Sequence, residues 1–212
     1  MPPTHPPTRR EREQTRHRRE VLEAALTLFA QHGYGATSMQ EIAQAAEFGV
    51  GTLYRLFPAG KEELYLALKQ RVVAAFEQEL TFALRNLTDP VQQLRAYLRA
   101  SAQVYASHPR EMAVYLGETI GLSFDLARGL PQDLADRYRA CTAKARQALE
   151  AGMVQGVLRT QDPDDATLFV RVVINVYLAQ WLFAQGRTSL DQSIATIEQA
   201  IFQGLGHSPP AA

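Results

Sequence analysis

The six residues Val50-Gly51-Thr52-Leu53-Tyr54-Arg55 place two hydroxyls and a guanidinium on what their pattern predicts to be one short helix. With Leu53 and Phe57 pointing inward, Val50, Thr52, Tyr54 and Arg55 are left to face outward. Such a set recognises; it does not make or break bonds. Hydroxyls, and the backbone N–H groups at a helix start, donate to phosphate oxygens. Gly51 lets another backbone come close where a side chain would hold it off. Val50 offers the apolar contact that a thymine methyl accepts. Thr37 and Ser38 add hydroxyls at the start of the preceding element, Gly49 an N-cap without one, and Lys61 a point charge at the start of the next. On residue types alone, Thr52 and Tyr54 can equally be ordinary surface residues of a helical hairpin.

The charge pattern fits a polyanion at one end of the chain. Over 212 residues, 22 Lys and Arg balance 22 Asp and Glu, so the formal net charge is zero. Between Met1 and Arg19, however, six arginines face two acids, which leaves +4 there and −4 on the rest. Arg16 and Arg19 belong to this run, which can serve as an arm entering a minor groove. Glu11 and Glu13 interleave with it, and a solvated helix face or a disordered tail is the competing reading.

Several classes of chemistry find no support. There is no glycine-rich phosphate loop, no nucleophile paired with a base and no metal-spaced His/Cys cluster. No catalytic residue, metal or cofactor is therefore expected, and the chain does not read as an enzyme. Cys141 is the only cysteine, which rules out an intramolecular disulfide and reads as a small buried hydrophobe more than as a redox sensor. No uninterrupted run of ~20 apolar residues is present, so no membrane helix is expected. The opening MPPTHPPTRR lacks the apolar core of a signal peptide, and a cytoplasmic location is the expectation.

The elements that must position these groups are helical throughout. Apolar residues recur at i, i+3 and i+4, and Pro and Gly punctuate them. The spacing predicts about nine helices: near 14–31, a short one beginning near Ser38 with Ala46 on its inner face, then 50–56, 61–86, 90–107, 110–127, 132–155, 164–185 and 190–204. Ser38 with Glu41 forms a capping box for the second. The fold class is all-α: an N-terminal three-helix, helix-turn-helix domain followed by a larger helical domain. Boundaries are expected at 1–13 for a disordered basic arm, 14–62 for the head, 63–206 for the body and 207–212 for a disordered tail.

Three helices, two of them short and joined by a tight turn, can lay the third in a major groove. The landmarks Ala24-Ala25, Phe29, Gly33, Thr37-Ser38, Ile42-Ala43, Gly51-Thr52-Leu53-Tyr54, Phe57 and Lys61-Glu62-Glu63-Leu64 occur in order over ~46 residues. This ordered set resembles the DNA-binding domain of the TetR family of bacterial transcriptional regulators. The resemblance implies a homodimeric regulator, expected as a ligand-released repressor of a palindromic operator in double-stranded DNA. It implies phosphate contacts at Thr37, Ser38, Gly49, Gly51, Tyr54 and Lys61, with Val50, Thr52 and Arg55 along the groove. Where the family commonly has Ala-Gly-Val-Ser, this chain has Ala46-Glu47-Phe48-Gly49. Glu47 takes a turn position often given to glycine, so a strained or different turn is expected.

The body shows helical periodicity without a detailed signature. By the same resemblance it holds a small-molecule effector and a dimer contact formed by its last two helices. Val173, Val176, Gln180, Phe183, Ile194, Ile197 and Ile201 are the expected interface. Tyr105, Met112, Tyr115, Glu118, Thr119, Phe124, Tyr177 and Trp181 are candidates for the effector pocket, with plain core packing as the alternative.

Overall fold

In the computed structural model, residues 8–118, 129–184 and 188–206 are described. The described residues form helices and connecting turns, with no strand. The helices are α1 (Arg9–His32), α2 (Met39–Ala45), α3 (Val50–Leu56), α4 (Lys61–Ala83), α5 (Pro90–Ser107), α6 (Pro109–Glu118), α7 (Gln132–Val154), α8 (Pro163–Phe183) and α9 (Leu190–Leu205). The chain divides into two compact units, Met1–Gln70 and Arg71–Ala212.

In the first unit, α1 starts at Arg9, five residues before the expected position. Thr8 forms a full capping box with Glu11: the Glu11 carboxylate accepts from the Thr8 amide at 2.7 Å, and Thr8 Oγ1 accepts from the Glu11 amide. These bonds satisfy helix-start donors and extend the helix over residues 9–13, which were expected to be disordered. Residues 1–7 of that expected arm, like the expected tail 207–212, lie outside the described residues. Gly33, at φ 84, ends α1 with its amide donating to the Phe29 carbonyl. Val21, Ala25, Leu26 and Phe29 of α1 are buried, as are Ile42 of α2, Leu53 of α3 and Leu64 of α4. Each large aliphatic residue of this kind contributes about 1.5–3 kcal/mol by leaving water.

In the second unit, α5 and α7 supply much of the core through Leu94, Leu98, Ala102, Leu134, Tyr138, Ala145 and Leu149. Polar ties fix the registry at the surface. Glu198 of α9 meets Arg95 and Arg99 of α5 at 3.6 and 3.3 Å, and Arg137 of α7 donates to Glu77 of α4 at 2.5 Å. Leu158, after α7, turns back onto Gly152, where a Cβ would lie 2.6 Å from its Cδ1. Phe169 of α8 lies as closely on Gly204 of α9. Cys141 is buried, and burial pushes its thiol up to about 11; a thiol held protonated is a packing residue, not a sensor.

In α8 the buried residues Ala166, Val170, Ile174 and Leu178 fall four apart, so only a narrow stripe enters the core. Leu168, Val176 and Phe183 are left exposed. By length and composition α8 is the one described helix apolar enough to cross a membrane. Arg171, Asn175 and Gln180 interrupt the run that sequence reading sought. An apolar helix with one buried stripe is equally what a subunit contact requires.

Candidate nucleic-acid interface

The turn between α2 and α3 sets the angle at which α3 is displayed. Phe48 N–H donates to the Ala43 carbonyl at 2.9 Å, and Glu47 N–H to Gln44 at 3.1 Å. This pair of bonds is a Schellman closure, which needs a left-handed residue at its centre. Glu47 is that residue, with φ 58. The expected strain is therefore present, and it sits on a side chain that disfavours this backbone region. Phe48 is held down by His17 of α1, whose ring meets it edge-on at 5.0 Å.

Beyond that turn, α3 buries Leu53 and Leu56 and exposes Gly51, Tyr54 and Arg55; Val50 and Thr52 are half-buried. Gly49 is its N-cap in extended backbone, without a side-chain cap bond. A Cβ added at Gly51 would meet nothing within 4 Å. Nothing among the described residues requires glycine there. Arg55 shares a cleft with Arg10, Glu13, Gln14 and His17 of α1. Arg10, one of the six arginines of the basic run, stands on this face because α1 extends to Arg9.

Five more of the expected contact residues are placed as follows. Thr37 is 2% exposed, and its hydroxyl donates to the Gly33 carbonyl at 2.9 Å, which braces the α1–α2 loop. Ser38 Oγ and the Ser38 amide each donate to the Glu41 carboxylate at 2.7 Å, which holds that carboxyl below its ordinary range, and Ser38 Oγ accepts from the Glu41 amide. Lys61 Nζ donates to the carbonyls of Tyr34 at 2.8 Å and Thr37 at 2.9 Å, and lies 4.4 Å from the centre of the Tyr34 ring. Its charge is turned onto the protein's own loop. Arg16 and Arg19 are exposed within α1, not on a flexible arm, and Arg16 pairs with Glu20 at 3.6 Å. Arg18, from the same basic run, is a clamp. It donates to the Leu56 carbonyl at the end of α3, pairs with Glu63 at 3.0 Å and stacks 4.1 Å over Phe57.

The second unit holds a cavity lined by Val72, Phe76, Tyr97, Ser101, Val104, Tyr105, Met112, Tyr115, Tyr138, Arg171, Ile174 and Asn175. About 520 Å³ is free of atoms if its open mouth is counted, while the centre of a water molecule can range over about 50 Å³. The first figure lies within the span of small-molecule sites; the second shows how narrow the chamber is. Tyr105, Met112 and Tyr115 line it as expected, whereas Tyr177 and Trp181 do not. Glu118 ends α6, and Thr119 and Phe124 lie outside the described residues.

Residues 87–205 match the family described as "Tetracyclin repressor-like, C-terminal domain", and residues 21–68 match "Bacterial regulatory proteins, tetR family". The first match covers more than half of the chain. The chain belongs to the TetR family. It is a DNA-binding transcriptional regulator with a helix-turn-helix domain followed by a helical C-terminal domain.

Individual proteins agree. The HTH-type transcriptional repressor NicS of Pseudomonas putida is 26% identical over 148 residues, 68% of this chain and 66% of its own. The chain thus spans about two thirds of that relative's length, and less than half of several others. The solved structure of the ketosteroid transcriptional regulator KstR2 of Mycobacterium tuberculosis superimposes with a TM-score of 0.74, at 24% identity, covering 90% of this chain and 95% of its own. That of AibR, in complex with isovaleryl coenzyme A and operator DNA, does so with 0.71 at 24%, covering 88% and 98%. At these identities the two structures establish the shared fold.

In this TetR-family chain the expected subunit-contact residues separate into two groups. Val176, Gln180 and Phe183 are exposed on α8, and Val173 and Ile194 are half-buried. Ile197 and Ile201 are 0% and 2% exposed, packed into the core of their own unit. These two cannot also meet a partner, which corrects their sequence reading. The helical moment of α9 is real, but it faces inward.

Proposed function

We propose that this chain is a homodimeric repressor that holds a palindromic operator and releases it when a small effector enters the body. The single observation that carries the reading is the outward display of Gly51, Tyr54 and Arg55 on α3, behind a helix-turn-helix closed by bonds within the protein. Residues 14–62 are the DNA-binding head, and 63–206 the effector-binding and dimerising body. In the head, Val50, Thr52 and Arg55 read bases; Tyr54 and the amides of Gly49 and Gly51 hold phosphates. Arg10, Arg16 and Arg19 extend the contact along α1.

NicS is named a repressor, and AibR was solved with both an acyl coenzyme A and operator DNA; both favour repression and effector binding here. Dimerisation is supported by the apolar outer face of α8, where Leu168, Val176 and Phe183 stand exposed. A two-fold dimer presents two heads, and a palindrome with half-sites one helical turn apart is its match. The same α8 gives Arg171, Ile174 and Asn175 to the cavity. An effector that binds one arrangement of α8 better than another shifts the dimer away from its operator-binding state. The regulator works where the chromosome is, in the cytoplasm.

The test is a mobility shift and footprint with DNA from upstream of its own gene. A two-fold symmetric footprint, lost in Arg55→Ala and in Tyr54→Phe together, is expected. Binding that shows no sequence preference, or that survives both substitutions, overturns the proposal.

A further inference from the structure

Two consecutive residues of α1 hold the two ends of α3. At its entrance, the His17 ring meets Phe48 edge-on at 5.0 Å, and Phe48 N–H closes the turn onto the Ala43 carbonyl at 2.9 Å. At its exit, the Arg18 guanidinium donates to the carbonyl of Leu56, the last residue of α3, and stacks 4.1 Å over Phe57. A cation there also meets the negative pole of the helix. The link from α3 to α4 is pinned by the same group. Glu63 pairs with Arg18 at 3.0 Å through one oxygen and accepts from the Ala59 amide at 3.2 Å through the other.

The helix between these two holds needs bracing. It has seven residues, too few to stay helical in water alone. Its buried residues are Leu53 and Leu56, three positions and so ~4.5 Å apart along the axis. Burial is non-directional, and a stripe that short keeps α3 on the protein while resisting tilt and slide only weakly. Arg55 precedes Leu56 in the chain, so its guanidinium goes where the exit of α3 goes. A hydrogen bond to a base edge is lost once its donor moves by ~1 Å.

On the reading of α3 as the helix that reads bases, we infer that His17 and Arg18 are positioning residues for operator recognition. They set the angle and depth at which α3 enters the major groove, and so govern sequence preference through the protein, not through a bond to DNA. His17 lines the cleft that holds Arg10 and Arg55; its part in positioning belongs to the ring against Phe48 and not to its nitrogens.

The test uses the full chain and two duplexes of equal length: the sequence that the unaltered chain selects from a random pool, and a scrambled copy. Filter binding across a salt series gives affinities and slopes, scaled to the folded fraction measured by circular dichroism. R18Q is expected to bind the selected sequence about ten- to a hundredfold more weakly, the span of a misplaced base contact. Its affinity for the scrambled copy is expected to stay within about twofold, with the slope unchanged, because the charges that hold arbitrary duplex are untouched. R18K restores part of the preference, since an ammonium cannot fork to Leu56 and Glu63 as the guanidinium does. H17A is expected to lose about three- to tenfold on the selected sequence alone, as the loss of an aromatic pair does. H17F, which keeps the ring against Phe48, restores it.

Folded R18Q and H17A that keep the full preference overturn the inference. Equal loss on both duplexes in R18Q, with a slope reduced by about one, places Arg18 on a phosphate and overturns it too. H17F that behaves as H17A gives His17 a bond to DNA and ends its positioning role. Should R18Q not fold, the two His17 variants decide. A chain that selects no sequence from the pool removes base reading by α3 itself, before any substitution is made.

Discussion

Lys61 Nζ lies 2.8 Å from the Tyr34 carbonyl oxygen and 4.4 Å from the centre of the same residue's ring. With the Thr37 carbonyl at 2.9 Å, this draws the loop after α1 against the start of α4. The charge of Lys61 is thus spent on the fold of the head. Lys61→Met is expected to lower head stability by about 2 kcal/mol, as lost charge-assisted bonds do. The slope of log affinity against log salt is expected to stay unchanged. A slope reduced by about one would show Lys61 releasing a counterion at a phosphate after all.

Arg55 and Arg10 are the contrasting pair, exposed and lining one cleft. Each, changed to alanine, is expected to reduce that slope by about one. Arg55→Ala is further expected to narrow the gap between operator and random DNA, while Arg10→Ala weakens both alike. Filter binding across a salt series measures both effects.

Glu47 occupies a left-handed position, φ 58, at the centre of the turn. Glu47→Gly relieves that conformation and is expected to stabilise the head by about 1 kcal/mol, net of the added chain entropy of glycine. Thermal unfolding in high salt, where the lost charge matters little, checks the sign.

Arg18 joins three helices: its own, the carbonyl end of α3 at Leu56, and Glu63 of α4. Arg18→Ala is expected to cost about 2 kcal/mol, through the carbonyl left without its donor and the stacking lost over Phe57. Arg19→Ala, one residue on and exposed, is expected to cost less than about 0.5 kcal/mol. Chemical denaturation of the two variants side by side tests the distinction.

On α8, Val176→Glu with Phe183→Glu is expected to give folded monomers in sedimentation, since both side chains stand at the surface. Ile201→Glu, inside the core of α9, is expected instead to unfold the body, at a cost above about 3 kcal/mol. A double variant that remains dimeric moves the subunit contact off this face.

The head was legible because its signals are local. The Ser38–Glu41 box, the caps and the spacing of Leu53 and Phe57 act within a few residues, and the helices formed where those signals lie. The Thr8–Glu11 box was equally local, and reading it would have placed the start of α1. The misplaced contacts have a different origin. Whether a threonine or lysine donates outward or to its own backbone depends on where the loop carbonyls of Tyr34 and Thr37 come to rest, which no spacing encodes. The body shows the same limit. The periodicity of α9 revealed an apolar stripe at Ile197 and Ile201, yet a stripe facing its own core and one facing a partner have the same period. Arg171 and Tyr138 passed unnoticed as cavity-lining residues because the helices that carry them are brought together only by the fold.

The inward turn of Arg18 bears on how the regulator searches. A guanidinium fastened to Leu56 and Glu63 lends little grip to arbitrary duplex. In the proposed regulator this takes one of the six arginine charges of residues 1–19 out of the sequence-independent hold on phosphates, and leaves that share of the grip to groups that read bases.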